Sequence, residues 1–388
     1  MIRPEYYDEF NCIAGDCPFT CCQQWKIAVD ENTLQDWYSK VVPEKYVERD
    51  PKAKGTTLDK YVRIGESGEE MALCSNGYCP FFNDKGLCDI VLEYGEKTIS
   101  DTCHTFPREE HEYEGTIEKT LALGCPAVVD LLWKKEHFSI LGDIDTDVEE
   151  EMKLFFLRNV MMEFISEGKY SLDDSIRMMF YMLLDMFDKY EEEGNIDFLT
   201  ENFVNSYMQR GFLNELNNQI LKLRVDSSDN IYEQNELFLD VADNYRKKSI
   251  YADFLEPLAE IATKYEEDEF TDEFLHKREE FEDVWGKLQN KLRLVFAEEI
   301  FSTLYMPEGD LYSMVMKAQW IGIYYAVLKQ MLFLKWCIDE DSLDYENIRE
   351  TICVLTRMTG YSEADIEEYL ENSFEDIIWD WGYMNLIL

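Results

Sequence analysis

The chain has 388 residues, 46% of them hydrophobic, and a formal net charge of −44 at pH 7. That length supplies an ample core and room for two domains, whereas the charge argues against nucleic acid as a partner, because phosphate is held by basic patches and none is apparent along the sequence. No segment is expected to span a membrane, and the opening residues, MIRPEYYDEF, lack the basic-then-apolar pattern of a secretory leader, so the expected compartment is cytoplasmic. Acidity spread along the whole chain serves solubility, and it also suits encounter with a lysine-rich partner.

In chain order, the first feature is cysteine: nine of the eleven fall within the first 125 residues. Cys12, Cys17, Cys21 and Cys22 run as C-x4-C-x3-CC. Cys74 and Cys79 follow, then Cys88 in GLCDI, Cys103 in ISDTCHTFPR and Cys125 in LALGCPAVV. Residues 112–123, EYEGTIEKTLAL, read as a hairpin turning near Gly115. Seven of the nine prolines precede residue 130, and the character of the chain changes there. Beyond it, Ile176, Met179, Phe180, Leu183, Phe187 and Tyr190 recur at steps of three or four, the apolar stripe of a helix. Acidic runs at 191–193 and 266–273 read as solvated helix ends or loops. The apolar stretch 318–336 contains Lys329 and Gln330, which predicts a buried helix. Ser362 and Asp365, after Thr359-Gly360, have the spacing of a helix start. Cys337 and Cys353 sit among apolar residues and are expected in the core. The predicted fold is mostly α, with a cysteine-rich metal-binding region and short strands over 1–132 and a helical domain over 133–388.

Disulfides suit short secreted chains, and packing alone accounts neither for the adjacent pair Cys21-Cys22 nor for the company of Gly and Pro. A soft metal centre accounts for both. Neighbouring Cys21 and Cys22 point in different directions and serve either two centres or one centre and its surroundings. The spacing admits zinc or iron, but it lacks the C-x2-C pairs of a zinc ribbon and the C-x3-C-x2-C triad of the main radical enzymes that use S-adenosylmethionine. No G-x-G-x-x-G follows a strand, which argues against a Rossmann-type methyltransferase.

FNCIAGDCPFTCCQQWKIAVD at 10–30, CPFF at 79–82, GLCDI at 86–90, ISDTCHTFPR at 99–108 and EKTLALGCPAVVDLL at 118–132 resemble the bacterial flagellin lysine N-methylase family. The resemblance implies methyl transfer from S-adenosylmethionine to lysine ε-amines of flagellin, with an iron–sulfur cluster of the [4Fe-4S] type. The family's cysteines fall on Cys12, Cys17, Cys21, Cys22, Cys79, Cys88, Cys103 and Cys125, and Cys74 stands apart from them. The segment from Cys79 to Arg108 also resembles small zinc- or iron-chelating proteins, which gives the alternative of a non-catalytic zinc- or iron-binding protein with a helical interaction domain. A base must help the lysine lose its proton, and Asp101, His104 and Tyr113 are candidates by position. Trp25, Phe81, Phe82 and Phe106 are placed by sequence to shield a cluster or meet a sulfonium, and Arg108 to pair with a carboxylate.

Overall fold

The computed structural model describes residues 1–65, 68–223, 225, 227–264, 271–360, 363–374 and 380–388. Over these residues the chain is mostly helical, as its sequence predicts, with six short strands among them. Strands β1 (Arg3–Pro4), β2 (Val62–Gly65), β3 (Gly68–Met71), β4 (Arg108–Glu112), β5 (Ile117–Leu121) and β6 (Ile140–Leu141) form three antiparallel pairs, β1 with β6, β2 with β3 and β4 with β5. The β4–β5 hairpin turns through Gly115 with Arg108 opposite Leu121 and Glu112 opposite Ile117, so its first strand begins earlier than the sequence suggests.

Four short helices accompany these strands: α1 (Glu31–Trp37), α2 (Glu44–Arg49), α3 (Asp89–Tyr94) and α4 (Asp101–Thr105). Asp30 and Ser100 cap α1 and α4 by accepting from the amides of Thr33 and Cys103, satisfying donors that a helix start leaves unpaired. With β2 and β3 they enclose a small core of Ile27, Trp37, Leu58, Met71, Phe81 and Ile90 among others. The Trp37 indole donates to the Thr98 carbonyl at 2.7 Å, which lets a polar atom enter this core without loss.

Helix α5 (Pro126–Lys134) leads into the large helical part: α6 (Glu149–Ser166), α7 (Leu172–Glu193), α8 (Glu201–Tyr207), α9 (Arg210–Lys222), α10 (Ser227–Arg246), α11 (Ala252–Lys264), α12 (Thr271–Thr303), α13 (Leu311–Ile338), α14 (Tyr345–Thr359), α15 (Glu363–Phe374) and α16 (Trp381–Ile387). The predicted stripe lies on α7, with Ile176, Met179, Phe180 and Leu183 buried and Phe187 and Tyr190 at the edge. Glu191–Glu193 are the exposed last residues of α7. Of the other acidic run, 266–270 lie outside the described residues, as does Ser362; Asp272 and Glu273 open α12, exposed.

Helix α13 is the centre of the large core, packed by α7, α10, α12 and α14. It is long and apolar enough to cross a membrane, yet 83% of its most apolar window is buried inside the protein. Each large apolar side chain so buried contributes about 1.5–3 kcal/mol. Its charged interruption is matched from neighbouring helices: Lys329 pairs with Asp173 at 3.0 Å and with Glu282 at 3.1 Å, and Gln330 donates to Asn235 at 3.1 Å. These partners remove the cost of an isolated buried charge. The small core draws on residues 27–90, whereas the large one runs from Ile2, Tyr6 and Phe10 through Leu121 and Val128 to the C-terminal helices.

Candidate metal centre

The cysteines lie where the two cores meet. Gly15 and Gly86 bring the first cysteine loop onto the turn before Cys88, since a Cβ on Gly15 would stand 2.6 Å from the Lys85 carbonyl oxygen. That turn is tied by Asn83, whose carbonyl oxygen accepts from the amides of Lys85 and Leu87 while its amide donates to Asp89. The amide of Cys79 donates to the Cys22 carbonyl at 2.8 Å, so the CC pair lies against the CPFF segment. Cys88 and Cys125 sit at the starts of α3 and α5, and Cys103 lies in the first turns of α4.

The result is one cavity of about 1170 Å³ lined by Cys12, Cys17, Cys21, Cys22, Cys79, Cys88, Cys103 and Cys125. Cys74 is exposed and outside this lining, and Cys337 and Cys353 lie elsewhere, Cys353 fully buried on α14. All eleven thiols are free. Among the described residues, no three Cys, His, Asp or Glu side chains are gathered as the ligands of a single ion.

Burial governs the thiols. It raises Cys17, Cys79 and Cys88, and pushes Cys103 and Cys125 up to about 12. Cys21 moves the other way: hydrogen bonding with Cys22 lowers it, the Arg357 guanidinium assists, and Cys22 rises in turn. Arg357, on α14, lies over the Phe19 ring at 4.1 Å and donates to the carbonyls of Gly124, Thr20 and Phe19 at 2.9, 3.0 and 3.1 Å. One fixed cation therefore holds the first cysteine segment to the Cys125 loop and favours thiolate beside it.

Acidic groups share the cavity. Glu96, Glu109 and Glu110 line it with His104, Arg108 and His111. Glu109 is open to the cavity but surrounded by protein, and this burial raises its carboxyl. Behind it on α12, burial pushes Glu298 up to about 8 and Glu299 to about 7, the charge of Glu109 adding to the second. Glu298 accepts from the Tyr6 hydroxyl, and Glu118 pairs with Arg158, both ends fully buried. Sequence reasoning missed this group; its signal was an acidic pair, Glu298-Glu299, set among apolar residues in FAEEIF.

Of the candidate bases, His104 lines the cavity. Asp101 does not, and its side chain is exposed at the start of α4. Tyr113 is committed to the core, donating to the Tyr305 carbonyl at 2.8 Å. Of the four aromatics, Phe106 lines the cavity and packs on Trp25 at 4.6 Å, while Phe81 belongs to the small core and Phe82 stacks on Tyr78. Arg108 lies over Phe10 and donates to the Phe10 carbonyl.

The helical part, which the cysteine motifs do not reach, matches the FliB lysine N-methylase C-terminal domain over residues 158–387. The chain is 26% identical over 173 residues to the flagellar biosynthetic protein FliU of Salmonella muenchen, covering 44% of this chain and 93% of that one. It is 27% identical over 132 residues to the lysine-N-methylase of Salmonella typhimurium strain LT2, covering 33% of this chain and 31% of that protein, and equally to its counterpart in Salmonella choleraesuis strain SC-B67. The matched part thus spans under a third of those two lysine-N-methylases. No solved structure matches. Because the matched domain takes in more than half of its residues, this chain belongs to the FliB lysine N-methylase family.

Proposed function

We propose that the protein is a protein-lysine N-methyltransferase that methylates flagellin from S-adenosylmethionine, with a [4Fe-4S] cluster held by cavity cysteines. The observation that carries this reading is the meeting of eight thiols and three glutamates around one cavity in a chain of this family. The donor set fits such a cluster. It is all sulfur, hence soft, and thiols ranged around a cavity suit a group of several metal atoms better than a lone ion. Zinc is the alternative occupant of the same thiols.

When bound, S-adenosylmethionine supplies an electrophilic methyl group and the cluster a site for the amino-acid end of that donor. A lysine amine is nucleophilic only when neutral, and its ordinary pKa is about 10.4. Glu96 draws in the ammonium, while Phe10, Phe19 and Phe106 along the lining lower the cost of its losing a proton. The proton that the lysine ammonium must lose before attack would pass to the Glu109 carboxylate, and the freed lone pair would form the nitrogen–carbon bond as the carbon–sulfur bond breaks and its pair returns to sulfur. The test is mass spectrometry of flagellin after incubation with anaerobically purified protein. Methylated lysines that appear only when S-adenosylmethionine is added are expected; unmodified flagellin with metal-loaded protein would overturn the reading.

A further inference from the structure

We propose that the free edge of β4 is the substrate-docking surface: it takes an extended, lysine-bearing segment of the partner as an added strand and so lays the lysine beside Glu109. This rests on the enzymatic reading above and deepens it by naming the conformation in which the substrate is received.

The ladder fixes which backbone groups are free. At the two ends of the hairpin, the Tyr113 amide donates to the Thr116 carbonyl at 2.9 Å and the Ala122 amide to the Pro107 carbonyl at 2.8 Å. Bonded and non-bonded pairs alternate along an antiparallel ladder, so the bonded pairs between these ends are His111 with Glu118 and Glu109 with Thr120. The N–H and C=O groups of Arg108, Glu110 and Glu112 therefore point away from β5. On its far side β5 is covered, since Ile2 donates to the Ile117 carbonyl at 2.9 Å and accepts from the Lys119 amide at 3.0 Å. The outer side of β4 has no such neighbour: among the described residues no backbone group bonds to it, and Arg108, Glu109, Glu110 and Glu112 are exposed. An open edge invites another strand, and this one borders the cavity, which Arg108, Glu109, Glu110 and His111 line.

Charge and alternation name the occupant. Glu110 pairs with Lys119, and Arg108 is turned onto Phe10, which leaves Glu109 and Glu112 without an ion-pair partner among the described residues. A second copy of this strand would set like charges opposite them, which is destabilising, whereas a lysine-bearing segment brings the opposite sign. Successive side chains point to opposite faces, so Glu109 and His111 share one face and Arg108, Glu110 and Glu112 the other. A lysine on the Glu109 face of the added strand lies with its Cβ about 4.5–5.5 Å from that of the residue across from it. Main-chain bonds supply affinity with little regard to sequence, and selection falls to the side chain that enters beside Glu109.

The probe is a short fluorescent flagellin peptide with one central lysine, bound to the full chain and followed by polarisation. Methylating its backbone nitrogens one at a time should weaken binding about tenfold at every second residue and little at those between, because only alternate amides face β4. Losses that do not alternate, or no binding at all, would overturn strand addition, and this scan needs no variant of the protein. Glu110→Pro removes one outward N–H and spares the bonds to β5, a placement that an edge strand tolerates. It should bind the peptide about tenfold more weakly than Glu110→Ala, which loses the same carboxylate but keeps the amide. Equal binding by the two variants, with unchanged circular dichroism, would overturn the inference. So would a wild-type dimer that Glu110→Pro dissociates in analytical ultracentrifugation, since the edge would then belong to a second copy of this chain. Methylation of intact flagellin is read separately by mass spectrometry. Methylated flagellin with no alternation in the scan removes the docking mode and leaves the enzyme, whereas alternation without methylation leaves the docking surface and removes the enzyme.

Discussion

The Nε of Arg357 donates to the carbonyl of Gly124 across 2.9 Å, joining residues 233 positions apart. Gly124 permits this approach, for a Cβ there would stand 3.1 Å from the Arg357 Cγ. The same guanidinium lowers the pKa of Cys21 and opposes the effect of burial on Cys17 and Cys353. A helix of the family-defining domain therefore sets both the geometry and the charge of the cysteine region.

Arg357→Ala removes three hydrogen bonds from a charged donor and leaves part-buried carbonyls unpaired. We expect a loss of about 3 kcal/mol in urea unfolding together with weaker metal retention. Arg357→Lys keeps the charge but not the fork that reaches three carbonyls, and should recover only part of either. Wild-type stability in the alanine variant would show that the clamp is idle.

What the sequence makes legible is periodic or local. The α7 stripe and the buried α13 follow from spacing, because a 3.6-residue repeat dictates which face is buried. The cysteine cavity follows from chemistry, since motifs quoted from residues 10 to 132 meet around it. Contacts between distant segments are hidden. Nothing marks Arg357 as the partner of Gly124, and the charge of Glu109 reaches Glu299 only because β5, the strand paired with β4, packs on α12. Tyr113 misleads for the same reason: its hydroxyl is spent on Tyr305, far along the chain.

Stability should respond to pH in two opposed ways. Glu298 is raised to about 8 by burial, against an unfolded value of about 4.3. Between those values the native state holds a proton that the unfolded chain has released, so this residue's contribution to stability falls as pH rises through the window. Asp173 behaves oppositely: burial raises it, but Lys329 and Arg177 together outweigh burial and lower it. Its contribution is present above about 3.9 and is lost as pH falls through the depressed native value. Glu298→Gln keeps an acceptor for Tyr6 and should make the fall of thermal stability between pH 5 and 8 shallower, Glu299 supplying the slope that remains. An unchanged pH slope in that variant would count against the buried neutral carboxyl.

Glu109→Gln should reduce methylation about 100-fold, the low end of the range for losing a positioned base, without changing helicity or bound iron. Asp101→Asn, outside the cavity, should remain close to wild type. Equal activity in both variants would return the search for the base to His104.

Cys74→Ser and Cys337→Ala should retain full metal, since neither residue lines the cavity. Metal loss from either, by iron or zinc analysis of the folded protein, would contradict the assignment of the eight lining thiols.

The net charge of −44 should speed encounter with a lysine-bearing partner, but only through charges near the point of entry. Exposed charges are screened beyond about 8 Å at physiological ionic strength. Glu96 is exposed and lines the cavity, whereas Glu191, Glu192 and Glu193 end α7 and are absent from that lining. Flagellin association measured by stopped flow should therefore slow with added salt. At physiological salt it should slow more with Glu96→Gln than with the three α7 glutamates changed together, although the triple variant removes more charge. An association rate indifferent to salt would leave the acidity to solubility alone, and an equal loss per charge in the two variants would mean that the field is diffuse rather than focused at the cavity.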